Sequence, residues 1–155
     1  MGMVSLGCPK NLVDSEVMLG LLKRAGYEIT NDPGEADVII INTCAFVDPA
    51  KEESIENILE FAREKEEGKC KALIVTGCLP QRYRAELSEE LPEVDALVGA
   101  GNFAEIPSVI DRVLSGERVI SVGEQRFLYD HTSPRLLTTP PHTAYMKIAE
   151  GCDNC

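Results

Sequence analysis

Val38-Ile39-Ile40-Ile41-Asn42-Thr43-Cys44 opens on four consecutive β-branched apolar residues and closes on two polar ones and a cysteine. A strand with one wet face alternates apolar and polar residues, whereas an unbroken apolar run suits a parallel strand covered on both faces. After it, Asp48 and Pro49 read as an N-cap and first helical residue, and Ile55, Ile58, Leu59 and Ala62 continue at helical spacing to about Glu67.

The same strand-turn-helix unit recurs on either side. Upstream, Met3-Val4-Ser5-Leu6-Gly7-Cys8 predicts a short strand that breaks at Gly7 and Cys8. Beyond Pro9, residues Leu12, Val13, Val17, Leu21, Leu22 and Ala25 mark a helix closed by Gly26. Downstream, Ala72-Leu73-Ile74-Val75-Thr76-Gly77-Cys78 is a third strand, followed from Pro80 by a helix carrying Tyr83, Leu87 and Leu91. Ala96-Leu97-Val98-Gly99 is a fourth, with a helix from about Phe103 to Leu114 closed by Gly116, and a last short strand is predicted from Arg118 to Val122. Strands alternating with helices imply right-handed crossovers and a mostly parallel sheet flanked by helices. The fold class is α/β, a flavodoxin-like or Rossmann-like three-layer sandwich.

Periodicity fails from Gly123 to Thr143, where Ser133-Pro134-Arg135-Leu136-Leu137-Thr138-Thr139-Pro140-Pro141 reads as an extended linker. Ala144 to Ala149 predicts a new strand. The expected organisation is a domain over 1–122, a linker over 123–143 and the start of a second, truncated domain over 144–155.

The 155 residues suffice for one ordinary domain with a core that needs no disulfides. Asp and Glu number 26 against 15 Lys and Arg, and a net charge of −11 disfavours gripping DNA or RNA as a primary role. No apolar run approaches the ~18 to 20 residues of a membrane span, and Met-Gly-Met-Val-Ser-Leu does not begin a secretory signal. The expected compartment is the reducing cytosol, where six cysteines point to metal or thiol chemistry rather than disulfides.

Cys8, Cys44 and Cys78 share one structural address, just beyond the carboxyl end of a predicted parallel strand, about one strand-helix unit apart. In open α/β sheets that edge forms the ligand crevice, so three cysteines distant in sequence converge there. Each also lies near a helix N-terminus, which favours negative charge, and the set suits an iron-sulfur cluster or another thiophilic metal. Small buried hydrophobes and, for Cys8, a reactive thiolate are the competing readings, and a structural zinc site is a further one. Cys70 precedes its strand, at the opposite sheet edge, and reads as incidental. Cys152 and Cys155 form a terminal C-x-x-C without a second pair.

Ser5-Leu6-Gly7-Cys8-Pro9-Lys10-Asn11 with Asp14 and Glu16, then Asn42-Thr43-Cys44-Ala45-Phe46, then Gly77-Cys78-Leu79-Pro80-Gln81-Arg82-Tyr83, resemble the N-terminal domain of the radical S-adenosylmethionine methylthiotransferase family. Within it the chain is most similar to the branch that modifies an aspartate of ribosomal protein S-twelve. Pro9-Lys10-Asn11 and Ala45-Phe46-Val47-Asp48 differ from the sister branch, which thiomethylates an adenosine of transfer RNA. The acidic charge also suits a basic protein substrate better than transfer RNA.

The resemblance implies that Cys8, Cys44 and Cys78 ligate an auxiliary 4Fe-4S cluster. It implies a second 4Fe-4S cluster in the truncated domain with Cys152 as first ligand, although Cys155 lies three residues later where the motif places the next ligand four later. S-adenosylmethionine as cofactor, ribosomal protein S-twelve or the small ribosomal subunit as partner and an electron donor protein follow from it too, with no membrane and no DNA. Methylthiolation of the aspartate β-carbon is the activity implied for the full-length enzyme, the fragment alone being inactive. The alternatives are the transfer RNA enzyme and a non-catalytic, flavodoxin-like binding module.

Lys10, Asn11, Asp14, Glu16, Gln81 and Arg82 lie near the crevice, where they could hydrogen-bond cluster sulfides or substrate. Equally, Asn11 and Asp14 read as helix caps and Arg82 as a partner for a carboxylate. Cofactor-binding roles are expected for Asn11 and Arg82. Gly99-Ala100-Gly101-Asn102 is a weak dinucleotide signal and reads as a turn with Asn102 capping a helix. His131 and His142 fall in the linker, exposed to solvent.

Overall fold

Every residue of Val38–Thr43 is buried, and so is every residue of Ala72–Gly77, as continuous apolar runs require. These are β2 and β3 of a sheet seen in a computed structural model that describes residues 1–124 and 130–149, the side chain of Glu67 excepted. In chain order the elements are β1 (Gly2–Ser5), α1 (Pro9–Arg24), β2 (Val38–Thr43), α2 (Asp48–Glu67), β3 (Ala72–Gly77), α3 (Cys78–Glu90), β4 (Ala96–Gly99), α4 (Ile106–Leu114) and β5 (Val119–Ser121). Short 3-10 turns cover Pro33–Glu35 and Phe103–Glu105, the second taking the place of the helical turn expected at Phe103.

All five strands are parallel, in the order β1-β2-β3-β4-β5, with Met3 opposite Ile40 and Ile40 opposite Ile74. Alternate residues serve opposite faces. Val38, Ile40, Ile74 and Val98 pack against Val17, Met18 and Leu22 of α1 and Ile106 and Ile110 of α4. Ile39, Ile41, Leu73 and Val75 pack against Ile58 and Ala62 of α2, Leu79 and Leu87 of α3 and Leu91 just past its end. The three-layer α/β sandwich expected from the sequence is therefore present.

The uniform right-handed crossovers expected are not. When strands follow chain order, crossovers of one hand place every helix on one face of the sheet. Here α1 and α4 cover one face and α2 and α3 the other, so the two pairs cross with opposite hands. The reason lies in β2 and β3, which are apolar on both sides and need cover on both. Consecutive helices consequently diverge to opposite faces after β1 and β2, and again after β3 and β4, which opens a crevice at the carboxyl edge.

Several local expectations need correction. Val47 precedes α2 and Asp48 is its first helical residue, its carboxylate 2.5 Å from Lys51 Nζ rather than capping the helix. α3 starts at Cys78 instead of Pro80 and is broken at Tyr83, whose φ and ψ are −122° and 37°. The strand expected over Ala144 to Ala149 does not form, because the segment pairs with no other strand; Lys147 instead reaches Asp14 at 2.8 Å. Among the described residues no helix is long and apolar enough to cross a membrane.

The linker is docked rather than free. Arg135 Nε donates to the fully buried Glu16 carboxylate at 2.9 Å, and the Thr138 backbone N–H does so at 2.7 Å. Leu136 N–H donates to the Glu16 carbonyl at 2.9 Å. Burial alone would raise the Glu16 carboxyl, but the bonds from Thr138 and Arg135 outweigh it and hold the group below the usual carboxylate range. A depressed folded pKa gives stability that is complete above the unfolded value of about 4.3 and lost as pH falls through the folded value. Urea midpoints should therefore fall as pH drops below about 4.3, and Glu16→Gln should flatten that dependence; an equally steep slope in the variant would remove Glu16 as its source.

Candidate functional site

Three turns leave the carboxyl edge of the sheet side by side, and each carries a cysteine. Thr43 ends β2 and Cys44 follows directly; Gly77 ends β3 and Cys78 opens α3; Ser5 ends β1 and Cys8 stands three residues on, against Pro9 at the start of α1. Cys44 is buried, Cys78 half-buried and Cys8 exposed, and all three are free thiols.

Glycine sets the spacing of the turns. Gly7 has φ +90°, and a Cβ there would stand 2.5 Å from the Cys44 Cβ and 3.0 Å from its sulfur. Only a residue without a side chain lets the Cys8 turn lie against Cys44. Gly77, at φ +101°, does the same between β2 and β3, where a Cβ would fall 2.5 Å from the Thr43 carbonyl oxygen.

One amide stitches the three turns together. Asn11 Nδ2 donates to the Leu6 carbonyl at 3.0 Å and to the Thr43 carbonyl at 2.9 Å, while its Oδ1 faces the Cys78 thiol at 3.9 Å. Asn42 holds the stitch in place by donating to the Asn11 carbonyl at 2.8 Å and to Ser15 Oγ at 2.9 Å. Arg82 Nη1 donates to the Ala45 carbonyl at 2.9 Å and so ties α3 to the turn after β2. Ser54, fully buried on α2, accepts the Cys44 N–H at 3.2 Å.

Burial pushes the Cys78 thiol up from its ordinary value, and the nearby Cys44 and Cys8 sulfurs add to this, as does Asp14, against the lowering effect of Arg82. Three thiolates in one crevice repel, and a thiophilic cation relieves that repulsion. The donor set fits such a group: three soft sulfurs, one side open to solvent at Cys8, and turns whose backbone is bonded by Asn11, Ser54 and Arg82. Among the described residues no group of three His, Cys, Asp or Glu side chains is placed to hold a metal ion, so the three sulfurs are neighbours without forming a coordination shell.

The other expected site residues divide. Asn11 and Arg82 reach the cysteine turns, but they bond backbone carbonyls; Asn11 is not a helix cap and Arg82 is not held by a carboxylate. Asp14 and Glu16 face the docked segment through Lys147 and Arg135, and Lys10 is exposed. Gln81 donates to the Gly123 carbonyl at 3.1 Å, at the β5 side of the sheet. Asn102 stands at the N-cap of the 3-10 turn Phe103–Glu105 without a side-chain cap bond, and its amide oxygen accepts the Gly123 N–H at 2.9 Å. Cys70 is buried before β3, with its thiol on the Ala72 carbonyl at 3.2 Å, away from the crevice. His131 and His142 are exposed. Cys152 and Cys155 lie outside the described residues.

Two residues escaped the sequence reading. Ser54 stands in line with Ile58 and Ala62 on the apolar stripe of α2, and a lone hydroxyl in such a stripe was the available signal. Tyr145 joins Leu6, Cys8, Pro9 and Leu12 around a cavity of about 310 Å³ beside the first cysteine turn, and nothing local in the sequence announces that contact.

A parallel α/β domain with cysteines at three neighbouring strand ends is the class that this geometry defines. Residues 1–99 match the model of a family described as Uncharacterized protein family UPF0004, and the chain belongs to that family. It is 60% identical over 153 residues to a protein of Pelotomaculum thermopropionicum named ribosomal protein uS12 methylthiotransferase RimO, covering 99% of this chain and 34% of that one. Proteins of the same name from Heliobacterium modesticaldum and Geobacter sulfurreducens are 59% and 56% identical, over 97% and 99% of this chain and 33% and 34% of theirs. The chain thus spans about a third of the length of the curated relatives it matches.

Replacing Asn11 by Ala leaves the Leu6 and Thr43 carbonyls without their amide partner, a loss of about 1–3 kcal/mol for an orphaned buried group. Urea unfolding of Asn11→Ala should show a loss of that size together with faster alkylation of Cys78; wild-type stability would mean that the stitch carries no load.

Proposed function

We propose that this chain is the sulfur-bearing N-terminal domain of a methylthiotransferase that acts on ribosomal protein uS12, with Cys8, Cys44 and Cys78 as ligands of an auxiliary 4Fe-4S cluster. The observation that carries the reading is the convergence of the three cysteine turns on Asn11, in a chain 60% identical to a relative named for that activity. When bound, such a cluster supplies labile sulfide and, with only three protein ligands, one iron free of protein.

The chain's own residues prepare the site. Gly7 and Gly77 allow the turns to close up, and Asn42, Asn11 and Arg82 spend their donors on backbone, so the turns are rigid before any ligand arrives. Asn11 Oδ1, Asp14 and Arg82 are polar groups beside Cys78. Cys8, on the exposed side, leaves the crevice open toward a substrate. The rest of the reading concerns the longer protein. Cys152 is the first ligand of a second 4Fe-4S cluster, S-adenosylmethionine binds in the domain that follows, and an electron donor protein supplies reducing equivalents in the cytoplasm. The product carries a methylthio group on the β-carbon of an aspartate of uS12.

Anaerobic reconstitution with iron and sulfide tests the cluster. Wild type should turn brown with about four irons and four sulfides per site, and Cys8→Ala, Cys44→Ala or Cys78→Ala should each lose most of both. Unchanged iron in all three variants would sink the proposal, and a colourless protein holding zinc without labile sulfide would replace it with a structural zinc site.

A further inference from the structure

α2 and α3 lie side by side on one face of the sheet and leave between them an open groove of about 840 Å³. Its floor is apolar, formed by Ile55 and Leu59 of α2 and Leu79, Leu87 and Leu91 around α3. Its rims are acidic, with Glu52 and Glu56 along α2 and Glu86 and Glu90 along α3. Each rim is a like-charge pair one helical turn apart, an arrangement that destabilises a helix by a few tenths of a kcal/mol. None of the four has an ion-pair partner among the described residues, whereas Glu35, Asp37 and Glu117 elsewhere on the surface are paired with Lys69, Lys71 and Arg112.

The groove begins one residue from the third cysteine turn. Leu79 follows Cys78 directly, and the upper end is closed by Lys51, which pairs with Asp48 and stands 5.7 Å from the Tyr83 ring centre. Beyond Asp48 the turn from β2 exposes Phe46 at 82% and Val47 at 50%, large apolar side chains a few residues from Cys44. Exposed apolar side chains after Cys44 and a trough edged by carboxylates thus both lie close along the chain to the cysteine turns.

We infer that this groove docks a cationic, apolar-studded segment of the substrate protein and so presents it to the cysteine crevice; the inference rests on the function proposed above. Apolar residues of the segment fill the floor while its Lys and Arg side chains meet the two carboxylate rims. A protein that packs against ribosomal RNA is basic because it neutralises phosphates, which gives uS12 the required charge. A second copy of this chain is the wrong occupant, since it would bring the same four carboxylates against each other.

Photocrosslinking tests the occupant. Benzoylphenylalanine placed at Leu59 in the full chain, irradiated with purified uS12, should cross-link to a Lys- or Arg-rich segment of uS12. Reversing the rims with Glu52→Lys, Glu56→Lys and Glu86→Lys should weaken uS12 binding by about tenfold or more at low salt. The control triple Glu28→Lys, Glu35→Lys and Asp37→Lys makes the same change in net charge near the opposite edge of the sheet and should leave the affinity within about twofold. A cross-link to a second copy or to the chain itself, absence of a uS12 cross-link, or equal weakening by both triples would overturn the inference. Iron and sulfide measured on the same samples keep the two readings apart: retained cluster without uS12 docking removes the groove and leaves the cluster.

Discussion

The Asn11 amide is the contact on which the candidate site depends. It sits in the first turn of α1, donates to the backbone of two different turns and presents its oxygen to the third. A buried amide of this kind is favourable only when its hydrogen bonds are met, and the cost of leaving them unmet selects one arrangement of the three turns. Asn42 enforces the same choice from below, because its side chain reaches across from β2 to the backbone of α1 and to Ser15, which in turn meets Ser5 at 2.9 Å. Polar residues at the end of an otherwise apolar strand thus convert the edge of a hydrophobic core into a rigid platform for sulfur.

Much of this was legible in the residues. The Val38-Ile39-Ile40-Ile41 run could only be a strand buried on both faces, and it is; the three cysteines do stand at neighbouring strand ends. The hands of the crossovers were not legible, because handedness rules describe single units while the need to cover both faces of β2 and β3 is a property of the whole sheet. The contacts of the path after β5 were not legible for a related reason. Pro-rich sequence signals lack of regular structure, not lack of contacts, and the partners of Arg135 and Thr138 lie on Glu16, more than a hundred residues away. Glu16, close in sequence to Cys8, is turned by the helix onto the segment after β5, while Asp14 meets Lys147 and still bears on the Cys78 thiol.

Helices diverging to opposite faces also explain why the cysteines lie where they do. Between β1 and β2, and again between β3 and β4, the chain leaves the sheet in opposite directions, so backbone does not fill the space above the strand ends. A sheet with all its helices on one face would have lined that edge with parallel turns and left no comparable gap.

The net charge of −11, read at first as a bulk property, is unevenly spent. Asp14 and Glu16 are turned inward and paired, so they serve the chain's own architecture by fastening the segment after β5 to the helix that carries Asn11. Glu52, Glu56, Glu86 and Glu90 are turned outward, unpaired and set in like-charged rows over an apolar floor. Glu35, Asp37 and Glu117 elsewhere on this surface are matched by Lys69, Lys71 and Arg112, whereas among the described residues these four form no ion pair, Lys51 at the end of the groove being held by Asp48. Inward acids hold the site together; outward acids at its margin define a field that favours a basic partner and repels a nucleic-acid backbone.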